Sequence, residues 1–117
     1  MALNVALFTG SAVTISSTEF SLSNSSTTIA AQTTNAVISV WIDVANMAAG
    51  DEYELAIQEK AIAGGTQRRV VLANLVGAQA DLLFITAPFH VGVGWDVTLK
   101  KIAGTDRAFS WSIRSAG

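Results

Sequence analysis

The sequence predicts an all-β protein: an antiparallel β-sandwich of jelly-roll-like build with about 8–10 short strands. Three observations lead there. Apolar and polar residues alternate with a period of two wherever the chain shows a pattern. Turn-forming residues punctuate it at roughly eight- to twelve-residue spacing: Ser23-Asn24-Ser25-Ser26, Ala49-Gly50-Asp51, Gly64-Gly65, Gly77, Pro88 and Gly104-Thr105-Asp106. The length of 117 residues suits one domain with a single core, large enough to need no metal or disulfide staple.

Taken in order, the strand candidates are 4–8, 12–15, 19–22, 27–32, 36–44, 52–60, 66–73, 82–87, 95–102 and 107–114. Residues 1–17 form either an N-terminal arm or the first strands of the sandwich, and residues 18–117 form a single sandwich domain. The opening stretch MALNVALFTGSAVTISS lacks the basic flank of a secretory signal and is broken by Asn4, Thr9 and Gly10, so it reads as mature chain. As an arm it would add a strand to a neighbouring sheet edge, with Leu3, Val5, Leu7 and Phe8 as its apolar contacts. Residues 45–50 are alanine-rich enough for one helical turn and too few for a full helix.

Two hairpins can be given a register by asking which pairing sets apolar residues opposite each other. In EYELAIQEKAIAGGTQRRVVLA, setting Ile57 against Val70 also sets Leu55 against Leu72 and Glu59 against Arg68. The loop left over is Ile62-Ala63-Gly64-Gly65, whose glycines accept positive φ at little steric cost. In the last stretch, Leu99 against Phe109 puts Val97 opposite Trp111 and Trp95 opposite Ile113, around an Ala103-Gly104-Thr105 loop. Trp95, Phe109 and Trp111 then share one face, and burying a ring is worth about 2–3 kcal/mol, so that face is the core. Asp96, Thr98, Lys100, Ser110 and Ser112 fall on the opposite, solvated or docking face.

Strand 36–44 follows the same logic with a different outcome. Ile38, Val40, Ile42 and Val44 make a coherent inward face, which turns Trp41 outward beside Ser39 and Asp43. An outward tryptophan is either covered by a neighbouring segment or used against a partner, and Trp41 is the leading interface candidate.

Half of the residues are hydrophobic and 14% are charged, against about 25% charged in ordinary soluble domains. So much apolar side chain in so small a domain points to self-association or docking. The net charge of −2 conceals a division. Glu19, Asp43, Asp51, Glu52, Glu54 and Glu59 precede every lysine and arginine of the chain: Lys60, Arg68, Arg69, Lys100, Lys101, Arg107 and Arg114. Either the two halves pair across strands within one subunit, or the subunit is polar and packs head to tail. Arg69 and Lys100 are the basic interface candidates.

Chemistry finds little footing. His90 is the single imidazole, and no metalloprotease, nucleophile-elbow, phosphate-loop or dinucleotide motif occurs. Cysteine is absent, which removes disulfides, thiolate–zinc sites and thiol nucleophiles together. Asp51, Glu52 and Glu54 lack the spacing of a calcium loop, and a strand start after a turn accounts for them. Arg68-Arg69 and Lys100-Lys101 are too short, on an acidic chain, to make the basic stripe that nucleic acid needs. No run of about 18 apolar residues suits a membrane helix. The reading is therefore no enzyme, no cofactor, no metal, no nucleic acid and no membrane.

Three stretches, WIDVANMAAGDEYELAIQEK, GGTQRRVV and GWDVTLKKIAGTDRAFSWSIR, together resemble small virion proteins encoded in the structural gene clusters of tailed bacteriophages and prophages. The resemblance spans roughly residues 18–114. Its elements MAAGDEYEL, GGTQR, GWDVTLKK and GTDRAFSWSIR are distinctive as an ordered set and weak singly. It implies an all-β structural subunit made in the bacterial host cytoplasm and placed on the capsid surface as a decoration or cement protein. The implied partners are the major capsid protein and further copies of the chain, a trimer among the candidates. The resemblance brings no catalytic residue to carry over. Two other readings stand beside it: a sugar-binding β-sandwich of a tail or receptor-binding assembly, stacking a ring on Trp41 or Tyr53, and a neck or tail-completion subunit.

Overall fold

Inward–outward alternation decides where each strand lies. In the computed structural model, which describes residues 5–115, nine strands form two antiparallel sheets. They are β1 (Val5–Ile15), β2 (Phe20–Ser21), β3 (Ala36–Asp43), β4 (Glu52–Glu59), β5 (Arg68–Val76), β6 (Leu83–Ile85), β7 (Phe89–Val91), β8 (Asp96–Ala103) and β9 (Arg107–Ser115). The first sheet runs β1-β9-β3-β6, with β7 also paired to β3, and the second runs β2-β8-β4-β5.

The pairing is nested: β1 with β9, β2 with β8, β3 with β6 and β7, β4 with β5. Rolling this long double ribbon over itself adds the contacts β3–β9 and β4–β8 and closes two sheets face to face. That is the jelly-roll arrangement of an antiparallel sandwich. β6 and β7 occupy one strand position, split around Pro88, which has no backbone N–H to give a ladder. Thr86 bridges the split: its N–H donates to the Val40 carbonyl (3.0 Å), and its hydroxyl accepts from the Val40 N–H (2.9 Å).

The core lies between the sheets. Ile38, Val40 and Ile42 from β3 and Phe109, Trp111 and Ile113 from β9 meet Tyr53, Leu55 and Ile57 from β4 and Val97 and Leu99 from β8. Three edge-to-face aromatic pairs cross the gap: Tyr53–Phe109 at 4.7 Å, Phe20–Trp111 at 5.8 Å and Phe8–Trp95 at 5.9 Å between ring centroids. Such pairs add about 0.5–1.5 kcal/mol each beyond area burial. Both buried indoles are satisfied, Trp95 Nε1 by the Thr34 carbonyl (2.9 Å) and Trp111 Nε1 by the Leu22 carbonyl (3.0 Å).

The structure corrects the register of the last stretch. β8 and β9 do not pair with each other; they lie in different sheets, joined by an arch at 104–106. Their rings and branched carbons still share one interior, facing each other across the sandwich instead of along a ladder. Alternation fixes which side of a strand is apolar; it does not say whether the apolar neighbour lies beside or opposite. The first hairpin keeps Ile57↔Val70 and Glu59↔Arg68, but a bulge at Leu72 sets Leu55 against Ala73. Candidate 27–32 is not a strand and contributes one isolated bridge, Gln32↔Trp95. The described part of candidate 4–8 merges with 12–15 into β1, which is irregular at Ala6/Phe8 and Gly10/Val13, and residue 4 lies outside the described residues. Residues 45–50 form turns and no helical turn, with Met47 N–H bonded to the Val44 carbonyl.

Candidate functional site

The outer face of the first sheet is built by the side chains that alternation sends away from the core. Register places Ser39, Trp41 and Asp43 of β3 beside Arg114, Ser112 and Ser110 of β9, with Ile85 and Leu83 of β6 on the other side of Trp41 and Asp43. Trp41 is thus flanked by an apolar column and a polar one. Its ring is not bare. The Arg114 guanidinium lies 3.8 Å from the ring centroid, and Arg114 Nε donates to Ser112 Oγ at 2.9 Å.

A guanidinium laid flat on an indole is a cation–π contact of about 0.5–1 kcal/mol at an exposed site, and it holds both side chains in place. Two shallow depressions flank this bar. One, of about 280 Å³, is lined by Asp43, Leu83, Ser110 and Ser112; the other, of about 240 Å³, by Val37, Ser39, Ile85, Thr86 and Pro88. Leu83 and Ile85 are each 46% exposed. Tryptophan and arginine over exposed aliphatics, ringed by hydroxyls and one carboxylate, is the composition of an interface anchor with a polar rim.

The other sequence-selected residues lie elsewhere. Leu3 falls outside the described residues, as does the side chain of Val5, whose backbone pairs with Ser115 in β1–β9. Leu7 and Phe8 are partly buried against the core, Phe8 on Trp95. Arg69 is committed within the subunit: its Nε donates to Glu19 (2.7 Å) and its second nitrogen to Glu54 (2.5 Å). Lys100, half-buried, adds its charge to the same cluster on the outer face of the second sheet. Burial alone would raise the Glu19 pKa, but hydrogen bonds from Thr98 and Arg69 and the charges of Arg69 and Lys100 outweigh it and hold the group below its ordinary value.

Asp96 and Thr98, expected on a solvated face, are fully buried. Asp96 accepts hydrogen bonds from Ser23 Oγ (2.7 Å), Ala30 N (2.9 Å) and Val97 N (2.8 Å), and so pins the β2–β3 connection over the second sheet. Tyr53 is fully buried too, which removes it as a stacking platform.

Sequence reasoning missed what Asp51 does. Its carboxylate accepts from Ala48 N (2.9 Å), Thr105 N (3.0 Å) and Arg107 Nε (2.7 Å), clasping the turn before β4 to the β8–β9 arch. The Thr105 backbone, the Arg107 side chain and the Ala48 backbone lower its pKa from 3.8 to about 2. Gly104, at φ +93°, sits so close that a Cβ there would meet Asp51. Beside the clasp, the Tyr53 hydroxyl accepts from Arg107 N (2.8 Å) and lies 2.9 Å from the Ile15 carbonyl and 3.1 Å from the Thr105 carbonyl. The sequence signal was the pair of turn motifs AGD and GTDR, each carrying an acid.

Three ion pairs, Arg69–Glu19, Arg69–Glu54 and Arg107–Asp51, join the acidic half of the chain to the basic half inside one subunit. His90 borders a small polar pocket of about 270 Å³ with Asn35, Glu59 and Lys60. Its Nε2 is 2.7 Å from the Asn35 side-chain oxygen, while the Glu59 carboxylate turns to Gly92 N (3.0 Å) and Lys60 N (2.8 Å). The imidazole is therefore oriented by the Asn35 amide.

No family model, no curated protein and no solved structure matches this chain.

Proposed function

We propose that this protein is a non-enzymatic structural subunit of a bacteriophage virion, a decoration or cement protein that stabilises the shell by contacts to the major capsid protein. The observation that carries this reading is the Trp41–Arg114 bar, set beside exposed Leu83 and Ile85 of β6 and the hydroxyls of β9 on the outer sheet face. Two anchors of the residue types that dominate interface energetics, pre-positioned on rigid strands, suit adhesion with little ordering cost. The segments behind the sequence resemblance support it in a second way. MAAGDEYEL and GTDRAFSWSIR meet in the Asp51–Arg107 clasp. GGTQR supplies Gln67, which donates to the Ala30 and Gly94 carbonyls, and GWDVTLKK supplies Asp96. What the resemblance shares is thus a set of fold-determining loops, as expected between structural subunits. The jelly roll is a fold of viral capsid and lectin domains, which is consistent with this reading by analogy only.

The test is add-back to particles that lack the protein. Wild-type protein should bind and restore resistance to heat and osmotic shock, and Trp41→Ala should bind at least tenfold more weakly; unchanged particle stability without the protein would refute a cement role. Imaging of whole virions then separates many copies over the shell from a few at a neck or tail.

A sugar-binding role is the second reading, favoured by the depression in which Asp43, Ser110 and Ser112 stand beside Trp41. Arg114 covers one ring face, so a sugar would have to stack on the other or displace it. Glycan binding that Trp41→Ala abolishes would favour this reading over attachment to the shell.

A further inference from the structure

We infer that the outer edge of β5 pairs antiparallel with β5 of a second copy, joining two second sheets into one eight-stranded sheet. β5 ends its sheet, and among the described residues no strand pairs with its far side. Every second backbone N–H and C=O of a nine-residue strand about 30 Å long is therefore directed outward. Natural edges are blunted by shortness, lysine, proline or bulges. The edges at β2, β6 and β7 are two or three residues long. The β1 edge is interrupted twice, at Ala6/Phe8 and Gly10/Val13, with Ala12 at φ +51°. β5, like β1, is long and carries no proline and no lysine, and it has no charge from Val70 to Val76, but it is interrupted only once. Its one irregularity, the bulge at Leu72, lies at mid-strand and leaves a regular run on either side.

What that edge exposes is apolar: Val70 is 57%, Val71 46% and Val76 65% exposed. Behind it the sandwich opens into a groove of about 380 Å³ lined by Leu72, Phe84, Ile85, Pro88 and Phe89. A second copy covers both the backbone edge and this mouth.

Charge identifies the occupant and its direction. Arg68 is exposed at the N-terminal end of β5, and Asp81 is exposed in the loop beyond its C-terminal end; neither makes an ion pair among the described residues. Glu59, opposite Arg68 in the ladder, spends its carboxylate on Gly92 N and Lys60 N. A two-fold axis near Leu72 brings each Arg68 end against the other copy's 77–82 loop with Asp81, twice per dimer. A parallel arrangement would instead stack Arg68 on Arg68. The edge is thus self-complementary, as an isologous interface requires.

The test needs only the purified chain, so its failure leaves the capsid reading standing, and the converse holds. In sedimentation velocity the wild type should run as a dimer that dissociates on dilution, with β5 amides gaining exchange protection as concentration rises. Leu72→Lys, at an exposed bulge position, should weaken the dimer at least tenfold with an unchanged far-ultraviolet spectrum. Arg68→Asp and Asp81→Arg should each weaken it, and the double exchange should restore it. A monomer up to several hundred micromolar would overturn the inference, as would an odd-numbered assembly or an oligomer indifferent to all of these changes. If Leu72→Lys unfolds the chain, the charge-exchange series decides alone.

Discussion

Removing one oxygen at Tyr53 tests the junction that holds the jelly roll's arch to its first strand. Tyr53→Phe keeps the ring, its edge-to-face contact with Phe109 and the surrounding packing. It deletes a hydroxyl that accepts from Arg107 N and donates within a cleft formed by the Ile15 and Thr105 carbonyls. One O–H donates to one carbonyl at a time, so two hydrogen bonds are lost. Each is worth about 1 kcal/mol net, and leaving the Arg107 N–H without an acceptor beside a fully buried residue costs about 1–2 kcal/mol more. The sum is about 3–4 kcal/mol, a large share of the 5–15 kcal/mol stability typical of a domain. At about 4 °C per kcal/mol for a chain of this size, the melting temperature should fall by about 12–16 °C. Urea titration followed by tryptophan fluorescence measures the same loss at constant temperature. A decrease under about 0.5 kcal/mol would refute the reasoning, because it would mean that the junction is open to water in solution.

Three further outcomes follow from the same geometry. Gly10 lies directly over the Trp111 ring, leaving no room for a Cβ, so Gly10→Ala should cost about 1–3 kcal/mol and perturb the near-ultraviolet signal of the indole. Asp51 binds its proton less readily in the folded chain (about 2) than in the unfolded one (3.8), so its contribution is complete above about pH 4 and lost as pH falls toward 2; urea midpoints between pH 2 and 5 should show that slope, flattened in Asp51→Asn. Trp41→Ala removes one exposed cation–π contact, so it should lower stability by no more than about 1 kcal/mol while weakening attachment to the particle at least tenfold, which thermal melts and add-back separate.

The inward set of β3 was legible because Ile38, Val40 and Ile42, continued by Val44 just past the strand, alternate without a break, and the same pattern turned Trp41 outward. Its companion was not. Arg114 lies 73 positions away in sequence, and that β9 stacks beside β3 is a property of the rolled ribbon, not of either segment. The arch between β8 and β9 was misread as a hairpin for the same reason: two apolar faces separated by a glycine turn are equally satisfied side by side or face to face. Local signals likewise do not reveal the Leu72 bulge, which shows only in how β4 and β5 pair, or β7, three residues following a proline. The buried acids were the hardest to read. Asp51 and Asp96 look like ordinary polar surface until the loops that donate to them are in place.

The nesting of β1 with β9 sets the order in which this molecule can be made. A ribosome releases β1 about a hundred residues before its ladder partner, so LFTGSAVTI must wait with its apolar side uncovered until β9 has been made. β9, last of the described strands to emerge, then enters between β1 and β3 and completes the sheet. Completion of this sheet is therefore limited by long-range closure, on the millisecond-to-second scale of high-contact-order β proteins. Truncation before Arg107 should leave β1 with no ladder and β3 with β6 and β7 alone.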